Sequence, residues 1–212
     1  MNFLKHFPYA FLFYSLTAFS QKDCTLKIEK DSISVYTCKV ENLRFNAVRT
    51  SFLVNSRPSQ LAAMVMDIEQ YGNWQYNTVS TIILKRISDH EIIYYTEISA
   101  PFPASNRDFI IRLTLDQNPV TREIIIDAVS MPDYLPTKEK VVRVPFSKAR
   151  WTVTPYSGAQ LKVDYYIEID LGGAVPAWLV NFLSYRAPYE TFKDMRAGIG
   201  RYRNRSAAFI RD

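Results

Sequence analysis

The sequence predicts an α+β domain in which a curved antiparallel β-sheet wraps around a long C-terminal helix, with an internal hydrophobic cavity between them. Three observations carry this expectation. Runs rich in β-branched and aromatic residues, punctuated by turn residues, recur up to Asp170. The period switches from two to that of a helix between Ser56 and Asn77 and then switches back. Beyond Pro176, the residues Trp178, Phe182, Tyr185, Tyr189 and Phe192 recur at spacings of four, three, four and three, which is one face of a helix.

In order, CTLKIE and ISVYTCKV flank a turn at Lys30-Asp31-Ser32 and predict a hairpin, and 43–53 predicts a third strand after a turn at Glu41-Asn42. Ser56 or Ser59 can cap a helix that has Pro58 in its first turn and Leu61, Met64, Val65 and Ile68 on one face. QYGNWQYN, which holds Trp74, follows as a short helical or turn segment. Strands are expected over 79–87, 92–98, the run around Arg112, 121–128, 141–144, 149–154 and 161–169. A proline-rich loop at 101–106 carries Phe102, and 130–139 is an irregular connection. The last helix should reach at least Arg196, kinked or split at Pro188, whose ring clashes with the Ser184 carbonyl.

Composition fits one domain: 212 residues, 48% apolar and 22% charged, with no linker or repeat. The net charge of +5 is modest and does not by itself indicate nucleic acid. A short basic start, the apolar run FPYAFLFYSLTAF and small residues at Ala18 and Ser20 read as a secretory signal peptide over 1–20, ahead of a domain over 21–212 that is exported, periplasmic or extracellular. The bland alternative is an uncleaved anchor, although the run falls short of the about 20 residues that span a bilayer. Cys24 lies too far beyond the run to resemble a lipidated cysteine. A disulfide between Cys24 and Cys38 suits export, but a hairpin centred on Lys30-Asp31 points the two side chains to opposite faces unless a bulge intervenes.

Two charges stand in apolar strands: Glu97 among Ile93, Tyr94, Tyr95 and Ile98, and Arg112 among Ile110, Ile111 and Leu113. Burying either one costs several kcal/mol unless it is paired. Both therefore face water, or they face each other or a ligand inside.

The chain resembles the START family of lipid-transfer domains over about residues 24–200. The likeness rests on Trp74 with Asn77 and Val79, the Asn106-Arg107-Asp108-Phe109 run, Trp151 before Pro155, and Asp170-Leu171-Gly172-Gly173 followed by Pro176-Ala177-Trp178-Leu179-Val180-Asn181. Leu171 stands where the family usually has proline. The resemblance implies a helix-grip fold and non-catalytic binding or transfer of a lipid, a sterol or a phospholipid, with no cofactor. It also implies a buried acid–arginine pair in the cavity. The acid lies in the strand before the loop and the arginine five residues after the Arg of the Arg-Asp-Phe run, which here gives Glu97 and Arg112. The expected ligand-binding set is Tyr95, Glu97, Phe102, Arg112, Trp151, Trp178, Phe182 and Tyr185, with the loop around Phe102 as a gate. The expected partners are a lipid and, transiently, a membrane surface, with the protein a monomer.

Catalysis looks poorly supplied. Once 1–20 are removed, His90 is the one histidine, and it sits in an expected turn. No metal-ligand cluster or phosphate loop stands out, and Asp127, Asp164, Glu168 and Asp170 are scattered. The alternative is a cyclase or hydrolase of the same superfamily with Glu97 as general base. A third reading is an adaptor whose cavity is filled by Tyr95, Trp151 and Phe182. The arginines from Arg196 to Arg211 either favour an anionic membrane or complement the helix C-terminus.

Overall fold

The structure, a computed structural model, describes residues 24–41, 45–176, 179–180 and 182–212, with the side chains of 182 and 183 excepted. Ten strands form one sheet: β1 Cys24–Lys30, β2 Ile33–Cys38, β3 Ala47–Asn55, β4 Thr78–Ser88, β5 Glu91–Ile98, β6 Asn106–Gln117, β7 Ile124–Ser130, β8 Val141–Arg143, β9 Phe146–Ser157 and β10 Gln160–Asp170. The order across the sheet is β1-β2-β3-β10-β9-β7-β6-β5-β4, and β8 pairs in parallel with β6. Helix α1 (Pro58–Met66) and a 3₁₀ turn (Ile68–Asn73) lie between β3 and β4, and α2 (Ala187–Gly198) follows the sheet. The expected α+β class and helix-grip architecture are met.

The first hairpin turns on Asp31 and Ser32, both at positive φ, as a tight two-residue connection requires. Its register explains the cysteines. Leu26 faces Tyr36 and Ile28 faces Val35, so Lys27 is the extra residue of a bulge. That one residue shifts the alternation, and Cys24 lies opposite Cys38 and is bonded to it. The parity argument against the bridge therefore fails at Lys27.

Alternation along the strands gives the sheet two faces. The concave face carries Ile33, Phe52, Leu115, Ile126 and Val163, each almost fully buried, against Leu61, Met64 and Ile68 below and Phe192 and Met195 of α2 above. Phe192 packs on Phe52, Trp151 and Tyr165 with ring centroids 4.7, 5.2 and 5.1 Å apart. Clusters of this kind place the largest apolar areas where α2 meets the sheet.

The last helix is split rather than kinked. A π-helical turn over Phe182–Arg186 precedes α2, with Pro188 in the first turn of α2. Proline supplies no N–H and its ring excludes the carbonyl four residues back, so the helix widens by one residue per turn there. The approach to this helix needs glycine at 172. Its φ is +67°, and a Cβ there would lie 3.0 Å from Pro145 and 3.1 Å from the Arg143 carbonyl.

Polar bonds pin α2 over the sheet. The Tyr76 N–H donates to Thr191 Oγ1 at 3.1 Å, the Tyr189 hydroxyl to Asp31, and the Gln60 side chain to the Ile199 carbonyl at 2.9 Å. The expected serine cap of α1 is replaced. Asp212 accepts from the Ser59 N–H at 2.8 Å and from Arg57 at 2.7 Å, so a carboxylate from the far end of the chain caps α1.

Burial pushes the Asp212 carboxyl up, but bonds from Ser59 and Arg57 outweigh it and hold the carboxyl below its ordinary value. A depressed folded value adds stability that is full above the unfolded pKa and is lost as pH falls through the folded one. We expect Asp212→Ala to cost about 1 kcal/mol in urea unfolding at about pH 7. The gap should narrow as pH falls through the depressed folded pKa, where the parent protein loses the charge.

Candidate functional site

A cavity of about 350 Å³ lies between the concave face and α2. That is within the about 300–1,000 Å³ typical of small-molecule sites. Strands β5, β6, β9 and β10 supply its floor through Tyr94, Thr96, Phe109, Ile111, Trp151 and Tyr165. The helical turn gives Ser184 and Tyr185 and α2 gives Thr191 and Phe192, while Tyr71 and Trp74 close one side. Ser99 and Ala100 bring in the β5–β6 loop.

The wall is apolar with a few polar groups set into it. Burial raises the hydroxyls of Tyr71, Tyr94 and Tyr165 well above the ordinary tyrosine value. Three lining residues have buried polar atoms without a hydrogen-bond partner: Trp74 Nε1, Thr96 Oγ1 and Arg107 Nε. Such atoms are uncommon in folded proteins and ask for an explanation. Among the described residues the wall carries no carboxylate and no imidazole; its cations are Lys27, exposed on β1, and Arg107, 3% exposed.

Of the residues expected here, Trp151 and Tyr185 line the cavity. Trp178 and the Phe182 side chain lie outside the described residues. Phe102 is not in the wall but at the tip of the β5–β6 loop, 94% exposed. Tyr95, Glu97 and Arg112 are on the other face of the sheet. Their register shows why. Glu97 pairs with Asp108 and Ile93 with Arg112, so these four residues and Tyr95 share one face, opposite Thr96, Arg107 and Phe109. The expected Glu97–Arg112 pair does not form. The two stand four residues apart along β6, about 13 Å. Arg112 is exposed and paired with Glu91, whereas Glu97 accepts from the Tyr95 hydroxyl at 2.9 Å and from Asn106 at 2.8 Å.

A buried acid–arginine pair does exist, on that outer face and between other partners. Arg143 bonds both oxygens of Asp108 through Nε and Nη2, at 2.9 and 3.0 Å, with side chains 7% and 1% exposed. Nη1 of Arg143 donates to the carbonyls of Pro132 and Leu135. The pair therefore holds the irregular 131–140 segment against a second small core of Ile93, Tyr95 and Ile110, where Lys138 sits 4.0 Å over the Tyr95 ring.

The residue that sequence reasoning passed over is Arg107. A signal was available: an offset of five along a strand is odd, so Arg107 and Arg112 must face opposite ways. With one of the two outside, the arginine inside is Arg107.

The sequence model of the family described as START domain matches residues 19–205. Bovine phosphatidylcholine transfer protein is 29% identical over 176 residues, covering 80% of this chain and 81% of that protein. A STAR-related lipid transfer protein from Xanthomonas axonopodis superposes with a TM-score of 0.76 at 27% identity, covering 84% of this chain and 98% of that structure. Human STARD10 shares the fold with a TM-score of 0.72 at 22% identity, covering 84% and 74%.

We expect Asp108→Asn to destabilise the protein by about 3–5 kcal/mol, because it leaves Arg143 buried and uncompensated. Arg112→Gln, which breaks an exposed pair, should cost about 1 kcal/mol or less. Urea unfolding of the two variants side by side checks the assignment.

Proposed function

The chain belongs to the START domain family, and from that premise we propose that it is a non-catalytic carrier that binds a lipid, of sterol or phospholipid class, in the cavity between sheet and helix. The observation that carries the reading is the cavity itself, enclosed by aromatic and aliphatic side chains from the strands and the last helix. Burial of apolar ligand surface there is worth about 25 cal/mol per Å². The names of the similar proteins, a phosphatidylcholine transfer protein and a STAR-related lipid transfer protein, agree with it.

The enzymatic alternative gains little. Its general base was to be Glu97, which lies on the outer face and is bonded to Tyr95 and Asn106. A cavity filled by Tyr95, Trp151 and Phe182 was the mark of an adaptor. Tyr95 lies outside the wall and Trp151 lines open space.

The β5–β6 loop is the proposed portal. Ser99 and Ala100 touch the cavity while Phe102 projects into solvent, so one loop links the interior to an exposed aromatic suited to a membrane interface. Export is proposed as well, supported by the Cys24–Cys38 disulfide, a bond that persists in oxidising compartments. The chain is proposed to act as a monomer.

Native extraction followed by mass spectrometry should find a lipid bound one to one. A protein that is empty, and whose melting temperature is unchanged across a panel of sterols and phospholipids, would overturn the reading. Phe102→Asp should reduce co-sedimentation with phospholipid vesicles and slow lipid transfer between them, while binding in solution and stability stay as in the parent protein.

A further inference from the structure

Two arginines of this protein grip a carboxylate side-on, and a third turns the same kind of edge toward the cavity. Arg143 holds Asp108 and Arg150 holds Asp127, each through the same edge, with Nε and Nη2 donating to the two carboxylate oxygens at 2.7–3.0 Å. Arg107 is the third. Its Nη1 donates to the Ser105 carbonyl, Nε is buried without a partner, and among the described residues no carboxylate pairs with it. Its free edge is therefore the edge that the other two use to grip an oxyanion.

We propose that the ligand carries an oxyanion, a carboxylate or a phosphate monoester on an apolar chain, and that Arg107 holds it side-on through Nε and Nη2 inside the cavity. The proposal rests on the carrier reading above and specifies the head group of what is carried. A guanidinium stripped of water and given one hydrogen bond is costly, since a buried charge is tolerated when it is paired and bonded. Burial also depresses the Arg107 pKa below its ordinary value. A planar fork meeting two oxygens is the strongest pairing arginine makes. Two further donors stand nearby. Thr96, on β5, lies one diagonal step across the sheet from Arg107, and Trp74 has its indole N–H unpartnered in the same wall. With no carboxylate in the described wall, the cavity has a positive end and no negative one.

The test measures binding of three probes of equal chain length to the full protein: oleate, 1-oleoyl lysophosphatidate and neutral oleyl alcohol. The anionic probes should bind about ten- to a hundred-fold more tightly than the alcohol. Whichever of the two binds more tightly identifies the natural oxyanion. Arg107→Gln should abolish the preference and leave alcohol binding intact, which also reports that the variant is folded. Should Arg107→Gln not fold, Arg107→Lys retains the charge without the fork and should lose most of the preference. Equal affinity for all three probes in the parent protein, or a preference that survives in either variant, would overturn the proposal. Failure of all three probes to bind would also overturn the proposal, and failure of the sterol and phospholipid panel as well would remove the carrier reading on which it rests.

Discussion

Everything that positions the site follows from one constraint, the two-residue alternation of side chains along a strand. It sends Tyr94, Thr96 and Phe109 to the concave face and Tyr95, Glu97 and Asp108 to the convex one. The concave residues build the cavity with α2. The convex ones build a second, smaller core, closed by the 131–140 segment and the Asp108–Arg143 pair. Neighbours in sequence thus serve different layers, and a shift of one position moves a side chain from the cavity wall to the outer core.

The two layers solve the burial of charge differently. On the convex face the protein supplies its own counterion: Asp108 and Arg143 satisfy each other, and the remaining donors of Arg143 tie down a loop. On the concave face Arg107 has a single backbone acceptor and open space before it. A folded chain seldom leaves a guanidinium so placed unless another molecule completes it. That contrast within one sheet, rather than the volume of the cavity, is the ground for the proposed oxyanion head group.

The fold was legible because its signals are long and periodic. The aromatic stripe from Trp178 to Phe192 identified the gripping helix, and the strand runs identified the sheet. Details set by single residues were harder to read. The bulge at Lys27 reverses the parity on which the cysteine argument depended. Of the kink or split expected at Pro188 the structure shows a split, with a π turn before α2, because widening the helix avoids the clash at the Ser184 carbonyl. Less of the cavity wall was legible. Trp151 and Tyr185 were placed in the wall, but family resemblance drew attention to Glu97 and Arg112, whose true partners, Asn106 and Glu91, lie in contacts that sequence spacing does not display. The Asp108–Arg143 pair joins residues 35 positions apart through a parallel strand of three residues, too short to leave a pattern of its own.

The most direct measurement is an NMR titration of the arginine Nε–H resonances with oleate. The Arg107 signal should shift and exchange more slowly with solvent as ligand binds, while those of Arg143 and Arg150, whose edges are already filled, stay in place. An Arg107 resonance unmoved at saturation would contradict the account.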